Sequence, residues 1–300
     1  MAHLPLLDQT IFETVNKTEE AVERHLNCEL LYFYGEIRPN WVPVFRNALE
    51  ELVSRDDEVK PTLAICLTTP GGSAEAVEKL VDIARFHFAH LYFIVPDMAM
   101  SAGTIFCMAG DKIYMDYSSS LGPIDPQVPD QDDKVLLPAL GYLDKIAELI
   151  DKSGDGTITP VEFAIVEKQD LAMLNYYEQA RELSIALLEK WLANYKFKDW
   201  HIHRTTNPGA TVTLEEKAAR AKEIAAKLAD NKHWHSHGRM INLEVLQKEL
   251  RLEIDDFGSD PPLQRNIRRY SDTLTDWTRR QGMAFFLHNR HVNRNLISGA

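Results

Sequence analysis

Apolar residues gather in short, nearly unbroken runs over the first 115 positions, and polar-flanked stretches of helical spacing separate them. Cys28 to Tyr34, Thr62 to Leu67, Leu91 to Val95 and Lys112 to Met115 read as strands. Residues 8–26, Trp41 to Val53 and an Ala-rich segment ending near Phe86 read as helices. Strands that are apolar throughout are buried on both faces, and intervening helices provide the crossovers of a parallel sheet. The pattern therefore predicts an α/β fold with a core of repeated βαβ units over residues 27–130.

The second half of the chain changes character and is mostly helical. Leu143 to Ile150 is amphipathic, and Pro160 starts an apolar stretch read as one long helix to about Asn194 that carries Lys168. Together these helices fill residues 143–195. Pro208-Gly209 breaks the chain, and Thr213-Leu-Glu-Glu216 is a capping box that opens a helix to Leu228. Ile241 to Ile254 reads as helix then strand, and residues 260–300 as an Arg-rich helical tail. No internal repeat divides the chain, so residues 1–300 are expected to form a single domain.

Two junctions carry chemistry. Met98-Ala-Met-Ser101-Ala-Gly-Thr104 lies between an apolar strand and an apolar helix. A serine there serves either as an N-cap or as a nucleophile on a strand-to-helix turn, with helix N–H groups facing the charge it develops. Upstream, Thr69-Pro-Gly-Gly-Ser73 occupies an equivalent junction. Its paired glycines open backbone conformations closed to other residues and free N–H groups for an oxyanion, with Ala102 supplying a second donor.

The net charge of −12 disfavours nucleic acid or an anionic membrane as the main partner. Cys28, Cys66 and Cys107 sit in apolar runs, as small core residues do, and form no disulfide or zinc pattern. No apolar run approaches the roughly 18 residues of a transmembrane helix. No signal peptide is apparent, and a cytoplasmic location is expected.

Taken together, strand, P-G-G-S, helix, strand, M-S-A-G-T, helix, strand and an S-L-G loop resemble the Clp protease and crotonase superfamily. Within it the closer likeness is to the serine dehydrogenase proteinase and signal peptide peptidase A families, over roughly residues 28–260. The resemblance implies a Clp/crotonase-like core, a serine endopeptidase with Ser101 as nucleophile, and an oxyanion hole at Gly71, Gly72 and Ala102. It also implies peptide or protein substrates and a homo-oligomer. For the general base, the loop Ser118 to Gln127 lacks the histidine of the Clp triad. The signal peptide peptidase likeness instead implies a Ser-Lys dyad, with Ser120 of Ser120-Leu-Gly122 orienting the lysine. Ser119 stands where that family usually has glycine. Lys134, Lys145, Lys152 and Lys168 are the candidates, and Lys168 is preferred for its place near the start of the long helix, eight residues before Tyr176. Burial lowers a lysine pKa and suits it to act as base.

Residues 151–162 fit an EF-hand calcium loop. Asp151, Ser153 and Asp155 would supply side-chain oxygens, Gly156 the sharp turn, Thr157 its carbonyl, Thr159 a side-chain or water-mediated oxygen, and Glu162 the closing carboxylate. The alternative is a polar turn with Thr159 as helix cap. Calcium bound there could order the start of the Lys168 helix and activate the enzyme. His233, His235 and His237 alternate as metal ligands can, without an accompanying Cys or acidic cluster. Arg265, Arg268, Arg269, Arg279 and Arg280 suit a solvated helix face or a subunit contact, and Trp277, Phe285 and Phe286 beside them require burial. Two other classes compete with the protease: a crotonase-like acyl-CoA enzyme, which needs no nucleophile, and a calcium-responsive binding module with a degenerate site.

Overall fold

A computed structural model describes residues 5–55, 58–129, 136–203 and 207–292. In chain order its first half comprises α1 (Leu6–Leu26), β1 (Glu29–Gly35), α2 (Val42–Val53), β2 (Thr62–Thr68), α3 (Ala74–His87), β3 (His90–Ile94), β4 (Met98–Ala99), α4 (Ala102–Met108), β5 (Lys112–Met115) and β6 (Ser120–Leu121). Next come β7 (Gln127–Pro129), β8 (Leu136–Pro138), α5 (Ala139–Gly154), α6 (Pro160–Glu167), α7 (Leu171–Trp191) and α8 (Leu214–Leu228). The chain continues through α9 (Asn231–Trp234), β9 (Ile241–Asn242), α10 (Leu243–Lys248), β10 (Asp255–Asp256), α11 (Pro261–Arg280) and β11 (Phe285–His288).

The apolar runs become a central sheet of order β10-β5-β3-β2-β1-β11. Its pairs are parallel from β10 to β1, as βαβ crossovers require, and β11 joins antiparallel. Alternation along each strand feeds two apolar layers. Leu31 and Phe33, Leu63 and Ile65, and Leu91 and Phe93 point to the layer shared with α2, α3, α4 and the end of α7. Leu30 and Tyr32, Ala64 and Cys66, and Ile94 point to the layer covered by α1 and α11. The three cysteines are buried and free.

A second, smaller set of pairings stands over the ends of these strands and positions the site. β4, β6 and β9 form a three-stranded sheet. Met98 is in register with Ser120, and Ser120 with Asn242. Isolated bridges extend this row, joining Thr69 to Ala99 and Gly72 to Ile37. Thus the P-G-G loop, the strand before Ser101, the S-L-G strand and the segment after His237 lie side by side.

Two sequence expectations give way here. The apolar stretch from Pro160 is not one helix, because α6 ends at Lys168 and Asp170 starts α7, its carboxylate accepting from the N–H groups of Ala172 and Met173. The tail is not wholly helical either. Gly282, at φ +65°, ends α11, and Phe285–His288 turn back as the edge strand β11 against β1. Trp277, Phe285 and Phe286 are buried within the chain itself, Phe285 stacking on Trp41 at 4.3 Å, so their burial calls for no neighbouring subunit.

Candidate active site

Ser101 sits at the start of α4 with φ +51° and ψ −116°, a conformation that costs a side-chain-bearing residue free energy unless its surroundings hold it. Its side chain caps nothing in the helix, so the N-cap role does not explain it. What holds the turn is close packing of small residues. A Cβ added to Gly71 would lie 2.9 Å from Ser101 Cβ, and one on Gly122 would lie 3.2 Å from Ser101 N. Glycine is therefore needed on both sides for the backbone to approach the serine.

The P-G-G loop is fixed by Ile37. Its N–H donates to Gly71 O at 2.7 Å, and its carbonyl accepts from Ser73 N at 2.9 Å. Gly72 between them has φ +140°. The Gly71 N–H is spent on Thr69 Oγ1 at 3.1 Å, so Gly71 contributes space rather than a donor. The N–H groups of Gly72 and Ala102 donate to no described residue. Ala102 directly follows Ser101, Gly72 directly follows the glycine packed against it, and both amides are free to receive an anion.

On the other side, Thr104 stitches the S-L-G loop to the serine helix. Its fully buried hydroxyl lies 2.9 Å from Ala99 O and 2.8 Å from Gly122 O, and accepts from Gly122 N at 2.9 Å. Sequence reading gave Thr104 no role. Among the described residues Ser120 meets no lysine. Its N–H donates to Asp97 O at 2.9 Å, and its hydroxyl lies 3.4 Å from the same carbonyl. Ser119 replaces the usual glycine usefully, its hydroxyl accepting from Asp116 N at 2.9 Å.

Beyond β6 the chain runs through Gly122 to Asp125, and there the structure supplies a pair that sequence reading missed. Asp125 Oδ1 lies 2.8 Å from His237 Nδ1, across 112 positions of chain. Asp125 is fully buried, whereas the His237 side chain is 20% exposed. The second carboxylate oxygen, Oδ2, is buried without a described partner. A buried carboxylate on one imidazole nitrogen fixes the tautomer and leaves the other nitrogen for proton transfer. The pair stands three residues beyond the glycine that abuts Ser101. Its sequence signal is a histidine four residues before β9, the strand that pairs with β6 upstream of Asp125.

Lys168 stands at the end of α6. It is exposed at the α6–α7 junction. The part of α7 that enters the core is Leu187, Leu188 and Trp191, about 24 Å along the helix from Leu171. Lys145 and Lys152 are engaged with Glu148 and Glu162, and Lys134 falls outside the described residues.

The calcium loop folds as its alternative. Thr159 and Glu162 form a reciprocal capping box, with Thr159 N donating to Glu162 Oε2 at 2.9 Å and Glu162 N to Thr159 Oγ1 at 3.2 Å. The other carboxylate oxygen takes Lys152 Nζ at 2.8 Å, and this hydrogen bond, helped by those from Thr159, lowers the Glu162 pKa to about 2. Asp151, Ser153, Asp155 and Thr157 are exposed on the preceding turn. With an ammonium on the closing carboxylate, these residues do not fit a calcium ion. Among the described residues no group of three His, Cys, Asp or Glu side chains could hold a metal. The three histidines diverge: His233 meets Glu249 at 2.7 Å, His235 is exposed in a left-handed turn at φ +62°, and His237 meets Asp125.

Comparison with known proteins finds likenesses over part of the chain. A family model described as ClpP-like SDH-type serine proteinase matches residues 52–176. Two uncharacterized proteins of Methanocaldococcus jannaschii are similar, one 33% identical over 44% of this chain and 47% of its own length, the other 29% identical over 48% and 52%. The match thus spans about half the length of these curated relatives. Two structures of the 1510-N membrane-bound stomatin-specific protease, one in complex with a substrate peptide, align at TM-scores of 0.43 and 0.42. They are 14% and 16% identical and cover 75% of this chain and 76% and 72% of their own. No helix among the described residues is long and apolar enough to cross a membrane.

Proposed function

We propose that this chain, whose residues 52–176 match the model of the ClpP-like SDH-type serine proteinase family, is a serine peptidase acting through Ser101, His237 and Asp125. The conformation of Ser101 carries the reading: a strained serine that caps no helix is held beside two unspent amides. Ser101 Oγ attacks a peptide carbonyl while His237 Nε2 takes its proton, and Asp125 on Nδ1 stabilises the imidazolium that forms. The Gly72 and Ala102 amides receive the oxyanion of the tetrahedral intermediate. His237 then protonates the leaving amine, and water, deprotonated by the same nitrogen, releases the acyl group from Ser101.

His237 takes the place of the lysine in this account because its partner is a buried carboxylate, whereas Lys168 is exposed at a helix junction. A crotonase-like role would use the same two amides but gives no reason to hold Ser101 in a strained conformation. The test is reaction with a fluorophosphonate followed by peptide mapping, alongside hydrolysis of an unfolded protein substrate. Labelling at Ser101, and loss of both activities in Ser101→Ala, is the expected result. Hydrolysis that survives in Ser101→Ala would overturn the assignment.

A further inference from the structure

The turns from which β4 and β6 leave the main sheet are joined by one side chain of α11. Arg268 Nη1 donates to Pro96 O at 2.6 Å, two residues before β4. Its Nε and Nη2 take the two oxygens of Asp116, and Nη2 also reaches Ser118 Oγ. Asp116 is fully buried, so a fork of donors meets a desolvated carboxylate. Asp116 in turn accepts from Ser118 N at 3.0 Å and Ser119 Oγ at 3.2 Å, folding the turn that leads into β6. The two turns are also hydrogen-bonded to each other through Ser120 N and Asp97 O.

We propose that Arg268 is a positioning residue for the Ser101 turn: its guanidinium clamps the starts of β4 and β6 and so sets the strands that present Ser101 and Gly122. This deepens the peptidase reading and rests on it for its catalytic consequence. Ser101 keeps φ +51° only while its neighbours over-determine it, and those neighbours are Gly71 on one side and Gly122 on the other. Gly122 is two residues from the β6 start that Arg268 holds, and Ser101 is five residues from Pro96. Arg268 touches neither the serine nor the His237–Asp125 pair, so it acts through strand placement alone. Its fork geometry matters, since lysine offers a point charge that cannot reach a carbonyl and both carboxylate oxygens together.

Hydrogen exchange and labelling separate this inference from the peptidase reading. In Arg268→Gln, amides in segments 96–104 and 116–124 should lose protection together, while those of 62–68 and 285–288 keep it. Arg268→Lys should restore part of that protection. Fluorophosphonate labelling of Ser101 should slow by roughly 10- to 100-fold in Arg268→Gln, the scale of a misplacement near 1 Å. Arg55→Gln is the control, removing the buried pair of Arg55 with Glu29 at the start of β1, and should leave labelling within about twofold. Unchanged exchange in both segments overturns the clamp whether or not Ser101 reacts. Lost protection with no labelling in the unsubstituted protein would retain the clamp and reject the peptidase.

Discussion

His237 Nδ1 lies 2.8 Å from Oδ1 of Asp125, a carboxylate with no solvent exposure and with its second oxygen unpaired among the described residues. A histidine with that partner can present only its other nitrogen for proton transfer. Asp125→Asn should therefore leave the fold intact yet lower peptide hydrolysis by about 10³–10⁴-fold, because the amide favours the wrong tautomer. Steady-state rates with a peptide substrate check this, and a loss under tenfold would deny Asp125 the orienting role.

Gly72→Ala tests the oxyanion loop. An added Cβ would stand 2.0 Å from Ile37 O at a backbone φ of +140°. The variant should lose about 1–3 kcal/mol of stability, visible in denaturant unfolding, and should also lose labelling at Ser101. Normal stability would mean that the loop is not bound to Ile37 as described.

Thr104→Val keeps shape and removes one hydroxyl. Gly122 N would then be buried without a partner. The expected cost is about 1–3 kcal/mol, with slower acylation of Ser101 because Gly122 packs against it. An acylation rate equal to that of the unsubstituted protein would remove Thr104 from the site's support.

Much of this arrangement was legible in the sequence because it is local. P-G-G and M-S-A-G-T each span a strand end, a turn and a helix start, and each needs glycine or small residues for reasons that follow from neighbouring backbone. The His237–Asp125 pair was not legible, since it depends on β9 pairing with β6 across 112 positions. A search confined to the loop Ser118 to Gln127 finds no histidine. The apolar spacing from Pro160 continues past Lys168, and only the Asp170 cap marks the break. At Thr159-Pro-Val-Glu162 one pattern serves two motifs, a calcium loop's closing end and a capping box, and Lys152 decides between them.

Calcium should accordingly have no effect. A calorimetric titration is expected to show no binding heat, and hydrolysis to be equal in calcium and in chelator. Saturable binding that is lost in Glu162→Gln would contradict the capping-box reading.

Acid should loosen the Arg268 clamp. Burial alone would raise the Asp116 pKa, but hydrogen bonds from Arg268 and the Ser118 N–H outweigh it and hold the carboxyl below its ordinary 3.8. Asp97 and Asp272 also face the cluster, and burial raises Asp272. A depressed carboxyl stabilises the fold above its unfolded pKa, and that contribution disappears as pH falls through the native value. Exchange in segment 116–124 should rise below about pH 4, and Arg268→Gln should flatten the dependence. A pH response that Arg268→Gln leaves unaltered would place its origin elsewhere.

The central claim is that Ser101 is activated by His237 and not by a lysine. It is tested most directly by the rate of fluorophosphonate labelling of Ser101 in the unsubstituted protein, in His237→Ala and in Lys168→Ala. The account predicts a fall of about 10³-fold or more in His237→Ala and a rate within about twofold of the unsubstituted protein in Lys168→Ala, exposed as Lys168 is at the α6–α7 junction. Undiminished labelling in His237→Ala, or its loss in Lys168→Ala, would contradict it.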